Sequence, residues 1–160
     1  MPTFRTGEVT EILSERVGLQ RVAVRIGDDV ARAYCLTQLV GDVAVGDTVV
    51  CNTTAVELGL GTGGWHVVHW NLERDGWARP GPEHIMKLRY TSLQFDAGTD
   101  ELSHPDLPTD LGGAPVVACM VHSQVAAVVA AAKQLRPDLR IAYVMTDGAA
   151  LPIALSDLVA

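Results

Sequence analysis

Polar side chains follow two apolar runs in the last third of the chain, at the points where two predicted strands end. The two polar stretches are His122-Ser123-Gln124 and Thr146-Asp147-Gly148. Ligands of open parallel α/β sheets bind beyond the carboxyl ends of the strands. Neighbouring parallel strands would bring Asp147 close to His122, and a carboxylate that orients an imidazole is a recurring catalytic pair. We therefore predict that His122 acts as acid or base and that Asp147 orients it or holds a divalent cation.

The residues around this pair are predicted to bind the ligand. A helix that begins at Ser123 offers free N–H groups and the positive end of its dipole, which favour a phosphate or a carboxylate. The expected ligand-binding residues here are Ser123, Gln124, Thr146 and Gly148. A purely structural interpretation is also open. In it, Ser123 caps one helix, Thr146 or Asp147 caps the next, and His122 is a hydrogen-bonded residue at the end of a strand. The sequence contains no GxGxxG or Walker motif, which disfavours a standard dinucleotide or P-loop site.

Two cations form a second candidate site in the middle of the chain. Lys87 and Arg89 lie two residues apart in the predicted strand 85–93, so their side chains share one face. Two cations on one face can bind an anion, and the acidic stretch 95–114 is an available internal partner. The competing interpretation is an ordinary solvated face.

The histidines of the barrel half and the three cysteines of the chain do not predict a metal centre. His66 and His69 lie three residues apart in a predicted strand and therefore point to opposite faces. The three cysteines, Cys35, Cys51 and Cys119, lie in apolar runs and form no CxxC pair. They are predicted to be buried free thiols in a reducing, cytoplasmic compartment.

The first half of the chain has the pattern of a small barrel. Val22 and Val24 alternate with Arg21 and Arg25, which is typical of a strand with one buried face, and a Gly-Asp-Asp turn at 27–29 predicts a hairpin. The predicted strands are 7–13, 19–26, 30–39, 48–54, 65–72 and 85–93. Short strands with frequent turns predict a closed barrel or a curled sheet.

The composition changes after the barrel half. The segment 95–114 is rich in Asp, Pro and Gly and has neither a strand period nor a helix period, so it is predicted to be an exposed linker. Residues 115–160 follow a strand–helix–strand–helix pattern, which predicts two parallel strands joined by a right-handed crossover. The predicted fold class is α+β, with a barrel-like domain at 1–94, the linker, and a C-terminal α/β unit of βαβα type.

The predicted parallel strand pair is incomplete, since two parallel strands do not form a stable sheet alone. Three solutions are open: the pair packs on the barrel, another subunit completes the sheet, or the chain is the front part of a longer one. The third is favoured, because 149–160 contains no signal that would end a helix.

The charge and hydropathy of the chain disfavour several classes of partner. Residues 1–90 hold nine basic and eleven acidic side chains, residues 91–160 hold three and eight, and the net charge is −7. Neither half has the basic field that non-specific nucleic-acid binding needs. No apolar run approaches the roughly 20 residues that span a bilayer, and the N-terminus lacks the apolar region of a secretion signal. The sequence therefore predicts a cytoplasmic protein that binds neither nucleic acid nor membrane.

Three motifs stand out as a set. They are Glu83-His84-Ile85-Met86-Lys87-Leu88-Arg89-Tyr90-Thr91, Met120-Val121-His122-Ser123-Gln124 and Tyr143-Val144-Met145-Thr146-Asp147-Gly148-Ala149-Ala150-Leu151-Pro152. Together they resemble an uncharacterised bacterial family of actinobacteria and Firmicutes, domain-of-unknown-function family 3866. The family has no assigned activity, so the resemblance implies no reaction. Its members continue past the position of Ala160, which implies that this chain is the front half and that a site built across both halves is incomplete here.

Two functions follow as expectations. The first is an α/β ligand-binding or enzymatic domain that acts on a small anionic molecule, phosphorylated compounds included, at the strand ends. The alternative is a non-enzymatic oligomerisation or interaction module, a homo-oligomer whose incomplete sheet another copy completes. The sequence names no substrate, cofactor or reaction class, so an enzymatic role is neither assigned nor excluded.

Overall fold

The computed structural model describes residues 1–61, 63–81, 85–145 and 153–159. The chain divides into two compact units, of which the first comprises Met1–Trp77 and Leu151–Ala160 and the second Ala78–Ala150. The acidic stretch 95–114 lies inside the second unit. No helix in the described ranges is both long enough and apolar enough to cross a bilayer.

Unit 1 contains a closed five-stranded barrel, as the sequence predicts. Its strands are β1 (Phe4–Arg16), β2 (Leu19–Ile26), β3 (Asp29–Cys35), β4 (Thr48–Asn52) and β5 (Trp65–Asn71). They pair in the order β1-β2-β3-β5-β4, and β4 closes the barrel against β1. Neighbouring strands are antiparallel except β3 and β5, which are parallel. This order, with a short helix between β3 and β4, is the arrangement of the OB-fold, a Greek-key barrel.

The barrel closes because one face of each strand is apolar. In β2, Val22 and Val24 are fully buried, whereas Arg21 is half-buried and Arg25 is exposed. Strand β3 continues the alternation, since Ala33 pairs with Val22 inside the barrel. The core cluster consists of Val9, Val22, Val24, Ala33, Cys35, Val40, Val43, Val49, Cys51 and Val68. The predicted β2–β3 hairpin is confirmed by this pairing.

Strand β1 is long enough to pair with two neighbours. Its first half pairs with β4 and its second half with β2, and the register shifts after Val9 and after Ile12. Such irregularities bend a strand and increase its twist, which a small barrel needs. Gly7 lies where β1 passes close to β2, since a Cβ at this position would lie 2.6 Å from the carbonyl oxygen of Arg25.

Two single-turn helices follow β3 and β4, namely α1 (Thr37–Val40) and α2 (Thr54–Glu57). The predicted strands 30–39 and 48–54 therefore end too late, because one helical turn is too short to show a 3.6-residue period. Glu57 holds α2 in place, since it accepts hydrogen bonds from Arg5 Nε at 2.9 Å and from Thr53 Oγ1 at 2.7 Å.

We expect iodoacetamide at about pH 8.5 to modify only Cys119 in the folded protein. Burial raises the pKa of Cys35 from 9.0 to about 12 and that of Cys51 to about 11. The prediction of a buried thiol is wrong for Cys119, which is exposed. The reactive thiolate of Cys35 is then about a thousandfold rarer than that of an ordinary thiol. Intact-mass spectrometry checks this expectation, with one adduct on the folded chain and three in denaturant. Rapid modification of all three cysteines without denaturant would show that the core thiols are accessible.

The first part of unit 2 has little regular structure. The predicted strand 85–93 is wrong beyond Lys87, because Leu88 and Tyr90 have φ angles of 49° and 64° that turn the chain. The elements here are a two-stranded antiparallel sheet of β6 (Met86–Lys87) and β7 (Phe95–Asp96), and the single-turn helix α3 (Asp100–Ser103).

The second part of unit 2 contains the helix α4 (Gln124–Leu135), at the place where the sequence predicts a helix. The flanking runs 115–121 and 140–145, all of whose residues are described, form no strand. The predicted βαβα unit is therefore not confirmed. Parallel strands need further strands and two covered faces, whereas Val116 and Val121 are exposed here.

Candidate functional site

The structure brings His122 and Tyr143 together within unit 2. Nδ1 of His122 lies 2.8 Å from Oη of Tyr143, and the two ring centroids are 5.6 Å apart. The contact joins the residue after the run 115–121 to a residue within the run 140–145, and neither run is a strand. A phenol hydrogen-bonded to an imidazole can hold or pass a proton. Tyr143 is not among the site residues predicted from the sequence, although it lies only four residues before Asp147.

Ser123 and Gln124 mark the start of α4. Ser123 occupies the N-cap position but makes no capping hydrogen bond through its side chain. Oε1 of Gln124 accepts hydrogen bonds from the backbone N–H of Met120 at 2.8 Å and of Val121 at 3.2 Å. The Gln124 side-chain oxygen therefore stabilises the turn before the helix. It already accepts two hydrogen bonds within the protein.

The remaining predicted site residues fall into two sets. Thr146, Asp147 and Gly148 lie outside the described residues, so the predicted pairing of His122 with Asp147 stays a prediction. Lys87 and Arg89 are described and exposed. The turn at Leu88 removes the strand that was expected to align their side chains.

A cluster of aromatic and arginine side chains, which was not predicted from the sequence, lies on the outer face of the barrel. Tyr34 in β3 and Trp65 in β5 stack with ring centroids 4.6 Å apart and an interplanar angle of 14°. They meet because β3 and β5 are parallel neighbours, with Arg32 paired to Trp65 and Tyr34 paired to Val67. Both rings are half-buried, so part of each ring is accessible from solvent.

Two arginines surround the stacked rings. Arg21 lies opposite Tyr34 in the β2–β3 pair, and its Cζ is 5.8 Å from the Tyr34 ring centroid and 5.6 Å from that of Trp65. Arg32 Cζ lies 4.7 Å from the Trp65 centroid, and Nη2 of Arg32 donates to the carbonyl of Gly63 at 3.0 Å. A guanidinium within about 6 Å of an aromatic face is attracted to the ring. The rings therefore position both cations on one side of the barrel.

A carboxylate occupies this part of the barrel. Asp157, in the 153–159 segment of unit 1, accepts hydrogen bonds from Arg21 Nη2 at 2.7 Å and 2.8 Å through its two oxygens. Its Oδ1 also lies 3.1 Å from Nη1 of Arg16. The hydrogen bond with Arg21 lowers the pKa of Asp157 and raises the pKa of Arg21. We call the following five residues the arginine–aromatic face: Arg16, Arg21, Arg32, Tyr34 and Trp65.

The arginine pair has more donors than Asp157 satisfies. Nε and Nη2 of Arg16 and Nε of Arg21 are shielded from solvent and have no hydrogen-bond acceptor among the described residues. Unpaired shielded donors cost free energy. A shallow depression of about 360 Å³ adjoins Arg16, and its other lining residues are Glu15, Leu19, Gln20, Thr37 and Asp42. An anion with more oxygens than a carboxylate, such as a phosphate, would satisfy more of these donors.

Metal ligation has no support in the described ranges, where no three His, Cys, Asp or Glu side chains are grouped to hold an ion. His66 is buried, and this burial lowers its pKa. The His69 ring is half-buried and packs on Phe4, with ring centroids 4.9 Å apart.

The sequence did carry part of the signal for the arginine–aromatic face. Alternation in β2 predicts an outer face for Arg21, and the same period in β3 puts Arg32 and Tyr34 on one side of that strand. The contact with Trp65 needs the β3–β5 pairing, and the contact with Asp157 joins residues 136 positions apart. Neither contact follows from a local pattern.

The family model described as protein of unknown function (DUF3866) matches residues 32–160, well over half of the chain. The match includes β5 and Asp157 and begins inside β3, after Arg16 and Arg21. No curated protein matches the chain, and no solved structure matches it. The chain therefore belongs to the DUF3866 family of proteins of unknown function.

Proposed function

We propose that the barrel binds a small anionic ligand that carries a flat ring, of the class of a nucleoside monophosphate. The observation that carries the proposal is the Asp157 carboxylate held between Arg16 and Arg21 beside the Tyr34–Trp65 stack. Guanidinium groups donate charge-assisted hydrogen bonds to a phosphate, and a flat ring stacks on aromatic side chains. The proposal keeps the small anionic ligand expected from the sequence, narrows it to a phosphorylated compound, and moves its site to the barrel.

The charge of the chain favours a small ligand over a polymer. OB-fold barrels bind oligonucleotides and oligosaccharides on the face of their second and third strands, where Arg21, Arg32 and Tyr34 lie. A long polyanion would be repelled by the chain, whose net charge is −7, and its binding needs many neutralised phosphates. A single phosphate needs only the local arginines. An uncharged sugar would leave their donors without an anion.

Isothermal titration calorimetry with four compounds tests whether the ligand needs both the anionic group and the flat ring. The compounds are adenosine monophosphate, adenosine, ribose 5-phosphate and a single-stranded oligodeoxynucleotide. We expect the monophosphate to bind more tightly than adenosine, which lacks the anion, and more tightly than ribose 5-phosphate, which lacks the ring. Much tighter binding of the oligonucleotide would identify nucleic acid as the ligand. Absence of binding by all four compounds would contradict the proposal.

Replacing Arg21 with Ala is expected to weaken monophosphate binding about tenfold or more, because a hydrogen bond to a charged group contributes about 1.5–3 kcal/mol. Arg25→Ala is the matched control. Arg25 lies on the same strand and carries the same charge, and its side chain forms an exposed ion pair with Glu8 at 3.2 Å. We expect Arg25→Ala to change the affinity by less than about twofold. Equal losses in the two variants would mean that net charge, and not the arginine–aromatic face, determines binding.

A second candidate site is the one predicted from the sequence, around His122. The 2.8 Å contact between His122 and Tyr143 supports it, because it pairs two proton-carrying side chains in unit 2. The proposed role of His122 there is acid or base toward an anionic substrate. The same titration decides between the sites when His122→Ala is included. Binding that is lost in His122→Ala and retained in Arg21→Ala would favour unit 2.

An oligomerisation module remains the alternative function, and the exposed apolar runs of unit 2 favour it. Val116 and Met120 are 73% and 94% exposed, although the sequence predicts a buried strand there. Burial of such runs against a second copy would remove apolar surface from water. Light scattering over a wide concentration range tests this function, and a monomer at every concentration would argue against it.

A further inference from the structure

We infer that the 153–159 segment is an intramolecular competitor for the anion position of the arginine–aromatic face. The inference rests on the proposed function and adds a form of regulation to it. Asp157 and the anionic group of a ligand need the same donors, namely Nη2 of Arg21 and Nη1 of Arg16. Both cannot bind there together, so ligand binding releases Asp157 from the barrel.

The Asp157 carboxylate is bound weakly enough for an external anion to replace it. The Asp157 side chain is 67% exposed although it contacts both arginines. Ion pairs of exposed carboxylates contribute little to stability, because water and salt screen them. An external anion that satisfies the same donors can therefore replace this carboxylate.

The rest of the segment keeps Asp157 close to its partners. Ser156 is 2% exposed, and its Oγ accepts a hydrogen bond from the backbone N–H of Val159 at 3.2 Å. The Ala154 methyl group lies against the β1–β2 turn, 3.6 Å from the position that a Cβ on Gly18 would take. These contacts give the carboxylate a high effective concentration at the arginine pair. The apparent affinity for a ligand is then reduced in proportion to the fraction of molecules in which the face is free.

Asp157→Asn in the full 160-residue chain tests the competition. We expect it to bind adenosine monophosphate about fivefold more tightly than the wild type, since an amide competes poorly for two guanidinium groups. Asp75→Asn is the matched control, because Asp75 is exposed in the same unit and the substitution changes the net charge equally. We expect Asp75→Asn to bind with wild-type affinity.

Hydrogen–deuterium exchange supplies a second readout, because a change in net charge alone would not alter the exchange rates of the 153–159 amides. Adenosine monophosphate should increase amide exchange within 153–159 of the wild type, whereas a ligand usually protects the residues near it. Asp157→Asn should show this increase without ligand. Equal affinities of the wild type and Asp157→Asn, or unchanged exchange on ligand addition, would overturn the competition and leave the proposed function standing. Absence of binding to both proteins would overturn the proposed function and this inference with it.

Discussion

Replacing Val24 with Asp is expected to move the unfolding transition of the barrel to a much lower urea concentration. Val24 is fully buried in a core cluster made entirely of small apolar side chains and cysteines. A carboxylate at this position has no charged partner and must be desolvated or draw water into the core. We expect a loss of about 4 kcal/mol or more, a large part of the roughly 5–15 kcal/mol that stabilises a small domain. Urea unfolding followed by circular dichroism measures this loss.

Val30→Asp provides the matched control for this prediction. Val30 lies on β3, is 65% exposed and pairs with Arg25, so the same chemical change should alter stability by less than about 0.5 kcal/mol. If Val24→Asp does not fold at all, Val24→Ala keeps the prediction testable, with an expected loss of about 2 kcal/mol. Equal urea midpoints for the two Asp variants would show that Val24 is not part of a closed core.

Gly7→Ala is expected to lower the free energy of unfolding by about 2–3 kcal/mol, which is large for the addition of one methyl group. A Cβ at Gly7 would lie 2.6 Å from both the Arg25 carbonyl oxygen and Cγ1 of Val24. The Val24 side chain is fully packed and the Arg25 oxygen belongs to the backbone, so β1 and β2 would have to move apart. Chemical denaturation of the variant and the wild type measures the difference.

Gly61→Ala is the control for the glycine prediction. No heavy atom of the described residues lies within 4 Å of a Cβ built at Gly61, and its φ angle is not positive. Alanine should therefore be neutral or slightly stabilising there, within about 0.5 kcal/mol, because it restricts the unfolded chain. The close approach of β1 to β2 would be wrong if Gly7→Ala and Gly61→Ala were equally stable.

The barrel could be predicted from local sequence patterns. Alternation with period 2 in β2, β-branched residues in β4 and the Gly-Asp turn before β3 each depend on neighbours a few residues apart. The single turns α1 and α2 were missed because a helix of four residues shows no period. The parallel contact between β3 and β5 was also missed, since it joins strands about 30 positions apart and no short turn indicates it.

The C-terminal half illustrates the opposite case. The alanine, glutamine, lysine and leucine residues of α4 favour a helix, and the helix forms. The runs 115–121 and 140–145 have the composition of buried strands, yet composition cannot supply the neighbouring strands that a parallel sheet needs. Val144 is 72% exposed, as expected for an apolar run that pairs with no strand among the described residues. The sequence therefore determined the helix, whereas the strands depend on tertiary pairing.

The same distinction between local sequence patterns and tertiary contacts applies to the candidate sites. Sequence alone determined that His122 follows an apolar run, that Arg21 lies on the outer face of β2, and that the chain carries no general basic field. Only the tertiary structure decided that Trp65 stacks on Tyr34 and that Asp157 reaches Arg21 across 136 residues. The physical reason is that period and propensity act over one or two turns of chain, whereas these contacts depend on strand register and barrel closure.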